Sequence, residues 1–224
     1  MNPTLFHPLL GNAVMDLFLK GGPVMYPIAA VSLFAAAIVG ERFVWWLRLR
    51  LRRDPTGLEQ VLEALEQGDA DKARAQAANS TDPRVRVIWH GLNHHHASLQ
   101  GAMQLAAGAE LREAGRFLTA MDTIITLAPL LGLLGTVTGI MQSFTSIGAT
   151  ELAVEKVSGG IGEALIATAF GLGIAILVLI PYNYFNSRVA ALQHEIEVAA
   201  TNVEIMLATD RSKGAPTPLR VNSA

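Results

Sequence analysis

The sequence predicts an all-α membrane protein with three transmembrane helices and long helical extensions, and three observations carry that expectation. Hydrophobic residues make up 51% of the 224 residues and charged ones only 16%, whereas ordinary soluble domains carry nearer ~25% charged residues. Three stretches, 21–40, 123–150 and 164–187, contain no charged side chain, and each is long enough to supply the about 20 residues of helix that span a hydrocarbon core. Arginine and lysine gather between the first and second stretches and again after the third, the asymmetry that orients helices in a bilayer.

Residues 1–20 lack a basic start followed by an apolar run and a small-residue cleavage site, so the first span is expected to direct insertion itself. That span is read as 21–47. Trp45 and Trp46 stand where an interfacial aromatic belt would anchor it, and Arg48, Arg50, Arg52 and Arg53 follow at once. The positive-inside rule then places the N-terminus outside, residues 48–97 inside, a short loop over 149–160 outside and the tail inside.

The segment 48–97 reads as a small helical domain. Asp54-Pro55 is an N-cap followed by proline in the first helical position, and Leu58, Val61, Leu62 and Leu65 recur at helical spacing until Gly68. Asp69 caps a second short helix through Ala78, Asn79 to Pro83 is a turn, and a third helical stretch covers about Arg84 to Leu92. One long helix, 98–148, is expected to run unbroken from Ser98 into the second span. The uncharged part of it is about 42 Å long at about 1.5 Å per residue, so it should tilt or project from the bilayer. Pro129 should bend it locally, as Pro181 should bend the third helix.

The third span and its extension are assigned to 161–211. Val189, Leu192, Ile196, Ala199, Val203 and Met206 alternate steps of three and four, a heptad-like stripe. It is short for a coiled coil, and packing on the helix before the second span is the favoured reading. Residues 212–224, with two prolines and little apolar content, are expected to be disordered.

Glu163 opens the third span within Gly159-Gly-Ile-Gly-Glu-Ala-Leu-Ile-Ala-Thr168. Two readings stand side by side. An acidic residue in a first helical turn is ordinary, because the helix N-terminus favours it. A carboxylate facing a hydrated path could instead help a cation across. Thr136, Thr138, Gln142, Ser143 and Thr145 add polar groups to the second span and Thr168 to the third, although a threonine can also bond its own helix. Glu163 and Thr168 are about 140° apart around an ideal helix and cannot share one narrow face. Gly132, Gly135 and Gly139, with Gly159, Gly160, Gly162, Gly171 and Gly173, are close-approach positions for helix packing. Asp122 reads as a helix-end charge in preference to a gate.

Other chemistry is poorly represented. Cysteine is absent, which removes disulfides and thiolate metal sites. His94-His95-His96 points its rings in different directions on a helix, a poor metal site, so no metal is expected. No P-loop, G-x-S-x-G or H-E-x-x-H occurs, no catalytic set converges, and the chain is expected not to be an enzyme. With a formal net charge of −2, nothing points to nucleic acid; the expected surroundings are the lipid bilayer.

Two blocks, Ala128-Pro-Leu-Leu-Gly-Leu-Leu-Gly-Thr-Val-Thr-Gly-Ile-Met-Gln-Ser-Phe144 and Gly160-Ile-Gly-Glu-Ala-Leu-Ile-Ala-Thr-Ala-Phe-Gly171, together with the Glu41-Arg42 pair, resemble the ExbB/TolQ/MotA family of ion-driven motor channels, closest to its ExbB/TolQ branch. The resemblance implies a homopentamer in a bacterial inner membrane, with a periplasmic N-terminus and a cytoplasmic C-terminus. Its second and third helices would enclose a central pore holding a dimer of single-span ExbD- or TolR-like partners, with a TonB- or TolA-like protein beyond. It implies H+ as the coupling ion, with Na+ an alternative, and no cofactor. Glu163, Thr168 and Thr136 match the family's pore residues, and Thr138 stands where some ExbB proteins carry Trp. The implied task is to energise an envelope process such as TonB-dependent outer-membrane transport. The alternatives are a TolQ-like role in outer-membrane integrity or cell division, and a non-conducting membrane scaffold.

Overall fold

The computed structural model describes residues 15–145 and 153–214, apart from the side chains of 95–97, 153–156 and 209–214. Most of the expected outer N-terminal segment, part of the loop at 149–160 and the tail beyond 214 therefore lie outside the described residues. Within them every regular element is a helix: α1 (Met25–Leu51), α2 (Pro55–Glu66), α3 (Ala70–Ala77), α4 (Pro83–Asn93), α5 (His95–Ala114), α6 (Leu118–Thr145) and α7 (Ala153–Gly214). A short helical run over 15–20 precedes α1. Three runs, Met25–Leu51, Ser98–Thr145 and Val157–Ala208, are long and apolar enough to cross a membrane.

One expectation needs correction. The helix from Ser98 does not run unbroken into the second span. Ser98 is itself extended (φ −167°, ψ 110°), and its hydroxyl accepts the Gly101 N–H at 3.1 Å. The helix that follows ends at Ala114, where the Gly115 N–H closes on the Leu111 carbonyl at 2.8 Å. Phe117 then adopts a left-handed φ of 66°, and α6 restarts with the Met121 N–H on the Phe117 carbonyl at 3.0 Å. Gly115 weakens the helix locally, and the Phe117 ring lies 5.6 Å from the Arg42 guanidinium, a contact that helps offset the strained backbone. Hydropathy is blind to such a break. The helices α6 and α7 continue through Pro129 and Pro181.

The chain divides into two compact units. The first comprises Met1–Phe43 with Phe117–Phe185 and contains the most apolar segments. On α6 the buried residues are Met121, Ile124, Ala128, Gly132, Gly135, Gly139 and Ser143, spaced by threes and fours as one helical face requires. On α7 Ala164, Ala167, Ala175, Val178 and Phe185 are buried, and on α1 Met25, Ile28, Ala35 and Ile38. Large side chains such as Leu33, Leu130, Leu133, Met141, Leu165 and Leu177 are exposed instead. Between Ala128 and Ser143 of α6, and at Ala164 and Ala167 of α7, small residues lie inside and large apolar ones outside, which suits helices whose surroundings are lipid or another apolar helix.

Arg42 is also fully buried. Its guanidinium donates twice to the neighbouring Glu41 carboxylate, from Nε to Oε2 and from Nη2 to Oε1 at 2.8 Å. A buried arginine needs such a partner.

The second unit comprises Val44–Arg116 with Asn186–Ala224. Three aspartates start its short helices: Asp54 accepts the Gly57 N–H at 2.9 Å, Asp69 the Lys72 N–H at 2.9 Å, and Asp82 the Arg84 N–H at 3.0 Å. Each satisfies an orphan donor of a first turn. Val61, Leu65, Ala73, Ala77, Val85 and Ile88 form the core of this small bundle. On α7 the stripe Leu192, Ile196, Ala199 and Val203 is buried, with Val189 and Met206 half-buried. Trp46 corrects another expectation. It is buried, and the Arg188 guanidinium lies 5.9 Å from its ring, so it packs within this unit and is no lipid-facing anchor.

Asp82 ties the unit together. Besides capping α4, it accepts the Asp54 N–H at 3.1 Å and two bonds from the Arg84 guanidinium at 3.0 and 2.6 Å. Burial pushes its carboxyl up, but the Arg84 side chain, the two backbone donors and the Arg84 charge together hold it below its ordinary 3.8. A carboxylate depressed in the folded state contributes stability that is present above its unfolded pKa and lost as pH falls through the folded one. Amide exchange in α2–α4, corrected for intrinsic rate, is therefore expected to speed up as pH drops from about 5 towards 2. Asp82→Asn should already exchange faster at neutral pH and lose most of that acid dependence.

Candidate functional site

The seam of α6 and α7 is built by what glycine omits. A Cβ on Gly132 would stand 2.9 Å from Thr168 Cα, and one on Gly139 2.9 Å from the Gly160 carbonyl oxygen. On Gly135 it would overlap the Ala167 Cβ, and on Gly171 the Ala128 carbonyl oxygen. Across these gaps the two backbones touch, with the dispersion contacts and polar bonds that hold helices together where no water drives them.

Thr168 uses that proximity. Its hydroxyl donates to the Gly132 carbonyl of α6 at 2.9 Å and lies 3.2 Å from the Ala164 carbonyl of its own helix. Thr136 donates to Leu133 at 2.7 Å, and Thr138 lies 3.0 and 3.1 Å from the Leu134 and Gly135 carbonyls. Ser143, buried, donates to Gly139 at 2.8 Å. The half-buried Thr136 and exposed Thr138 thus bond within α6, and only Thr168 reaches across. None of these hydroxyl bonds goes to Glu163.

Glu163, half-buried one turn before Ala167, faces a different neighbour. The turn Gly21-Gly22-Pro23 ahead of α1 presses on it, and a Cβ on Gly22 would overlap its Oε1 and Cδ and stand 2.9 Å from its Cγ. Among the described residues nothing donates a hydrogen bond to that carboxylate. The angle expected between Glu163 and Thr168 is realised as two partners, the turn before α1 and the helix α6. Sequence reading passed over Gly22, whose only signal was a Gly-Gly-Pro run at the edge of an apolar stretch.

Asp122 is exposed on the first turns of α6. His94 caps the end of α4 with its Nδ1 3.0 Å from the His90 carbonyl, while the side chains of His95 and His96 lie outside the described residues. Among the described residues no three His, Asp or Glu side chains gather as metal ligands would.

The family model of the MotA/TolQ/ExbB proton channels matches residues 79–198. The chain belongs to that family. It is 37% identical to the biopolymer transport protein ExbB-like 3 of Synechocystis over 75% of this chain and 83% of that one. Its identity to ExbB-like 1 of the same organism is also 37%, over 75% of this chain and 69% of the relative. The Tol-Pal system protein TolQ of Haemophilus influenzae is 39% identical over 42% of each chain. The match to the MotA/TolQ/ExbB proton channel family spans α6, the first part of α7 and all four candidate pathway residues, Thr136, Thr138, Glu163 and Thr168. Gly22 and Arg42 lie outside it.

With three apolar helices of spanning length and this family membership, the chain is a multi-pass membrane protein of a transport and channel family.

Proposed function

We propose that this chain is the channel subunit of an ion-driven motor, which uses the proton motive force to energise an envelope process such as TonB-dependent outer-membrane transport. One observation carries the reading: in a proton channel family member, Glu163 is the sole carboxylate in the sequence between Glu155 and Glu195, and it stands beside the glycine-notched seam of α6 and α7. An ionisable group retained at such cost in an apolar helix marks an ion path. In this reading five copies surround a central pore in a bacterial inner membrane. The N-terminus and the 149–160 loop are periplasmic, and 48–97, the start of the second helix, the end of the third and the C-terminus are cytoplasmic. A dimer of single-span ExbD- or TolR-like chains occupies the pore, and a TonB- or TolA-like protein receives the work. Thr136, Thr138 and Thr168 line or brace the path, the glycines hold its wall, H+ is the coupling ion with Na+ as alternative, and no cofactor takes part.

A TolQ-like role in outer-membrane integrity or cell division is the alternative. In either role the chain is expected to move protons only with its partner. Liposomes holding this chain and an ExbD- or TolR-like single-span chain should acidify when a potassium-diffusion potential is imposed, and liposomes with either chain alone should not. A pair that assembles yet passes neither H+ nor Na+ would instead be a scaffold.

A further inference from the structure

We infer that Gly22 is a positioning residue for the Glu163 carboxylate, the inference resting on the ion-path reading of Glu163. Gly22 has φ +72°, a left-handed conformation in which L side chains are strained, and the Cβ it lacks would fall on the carboxylate. The three nearest atoms to that Cβ are Oε1, Cδ and Cγ of Glu163. All lie at the flexible end of one side chain, and none belongs to a backbone. The backbone of the turn is thus the fixed wall, and the carboxylate is the part that would have to move.

The wall is well anchored. The Gly21 N–H donates to the Phe18 carbonyl at 3.3 Å and the Met25 N–H to the Gly22 carbonyl at 3.1 Å. A Cβ on Gly21 would overlap the Met25 side chain and stand 3.1 Å from Ile166 Cγ2. Met25 is in turn packed with Ile28 and Ala167 in the buried cluster of this unit. The glycine turn is therefore clamped to the turn of α7 that follows Glu163. With no donor among the described residues to hold it, the carboxylate takes its position from packing against Gly22. A side chain at 22 would push it off its path, and an aspartate at 163, shorter by one methylene, would make room again.

The test is proton uptake, per assembled complex, by liposomes holding this chain with an ExbD- or TolR-like single-span chain. Displacement of a reacting group by about 1 Å costs up to about a hundredfold, so Gly22→Ala is expected to slow uptake by at least about tenfold. Gly22→Ala combined with Glu163→Asp should recover to within about twofold of Glu163→Asp alone, the non-additivity that marks two groups in contact. Gly68→Ala carries a comparable strain, since Gly68 has φ +77°, and should conduct as the parent does. Uptake by Gly22→Ala equal to the parent, or a double variant no better than Gly22→Ala, overturns the inference. Failure of Gly22→Ala to assemble where Gly68→Ala assembles also overturns it, because the clash would then lie in the backbone. If Glu163→Gln conducts like the parent, the ion-path reading itself is wrong. If Glu163→Gln is silent and Gly22→Ala is normal, only the role of Gly22 falls.

Discussion

Glu163→Ala is expected to reduce potential-driven proton uptake to the level of empty liposomes while the complex still assembles. Uptake through a path whose ionisable group is lost should fall at least about a hundredfold, the scale on which a positioned proton carrier contributes. Assembly should survive because Glu163 is only half-buried and no described residue donates to it, so its removal orphans no protein group. A carboxylate within an apolar helix costs stability on insertion scales, and the alanine variant should be at least as stable as the parent. Glu163→Asp should keep part of the flux. Loss of the complex, not of flux, would make Glu163 a structural residue, and unchanged uptake would remove it from the path.

Gly171→Leu is expected to do the opposite, taking away the folded protein itself. A Cβ at 171 would overlap the Ala128 carbonyl oxygen and come within 3.1 and 3.2 Å of Gly132 Cα and N. All three are backbone atoms of α6 and cannot rotate aside. The helices must separate, which stretches the 2.9 Å bond from Thr168 to the Gly132 carbonyl and strips the seam of its contacts. Overpacking costs about 1–3 kcal/mol in cores that can adjust, and a rigid backbone contact belongs at or above the top of that range. Gly173 is the control, since a Cβ there meets nothing within 4 Å. Gly173→Leu should therefore melt in detergent close to the parent, whereas Gly171→Leu should melt well below it or fail to accumulate. Equal melting of the two would show that the seam is not what holds this unit.

Much of this protein was written locally in its sequence. An uncharged stretch of helix long enough to span a bilayer announces itself by composition. The aspartates at 54, 69 and 82 announce helix starts because a cap bonds a donor only two or three residues away. The stripe from Val189 to Met206 was legible for the same reason, since the period of one helix decides which residues share a face. Gly132, Gly135, Gly139, Gly160 and Gly171 could be nominated as close-approach positions, though not paired, whereas a Cβ on Gly159, Gly162 or Gly173, nominated with them, would meet nothing within 4 Å.

What only the tertiary structure decided depends on groups remote in the chain. Trp46 reads as an interfacial anchor until Arg188 lies 5.9 Å from its ring. The break at Phe117 lies just ahead of the uncharged stretch that starts at 123, and its ring meets Arg42, far back in α1. Thr168 could bond its own helix or cross to α6, and its hydroxyl reaches both the Ala164 carbonyl and the Gly132 carbonyl 36 residues away. Gly22 acquires meaning only when the turn before α1 meets Glu163 on α7. By itself the sequence determined the helices, their caps and their apolar faces, because those follow from bonds and periods within a few residues. The structure decided which faces meet and which carboxylate rests on which glycine, because such contacts form only when distant helices pack.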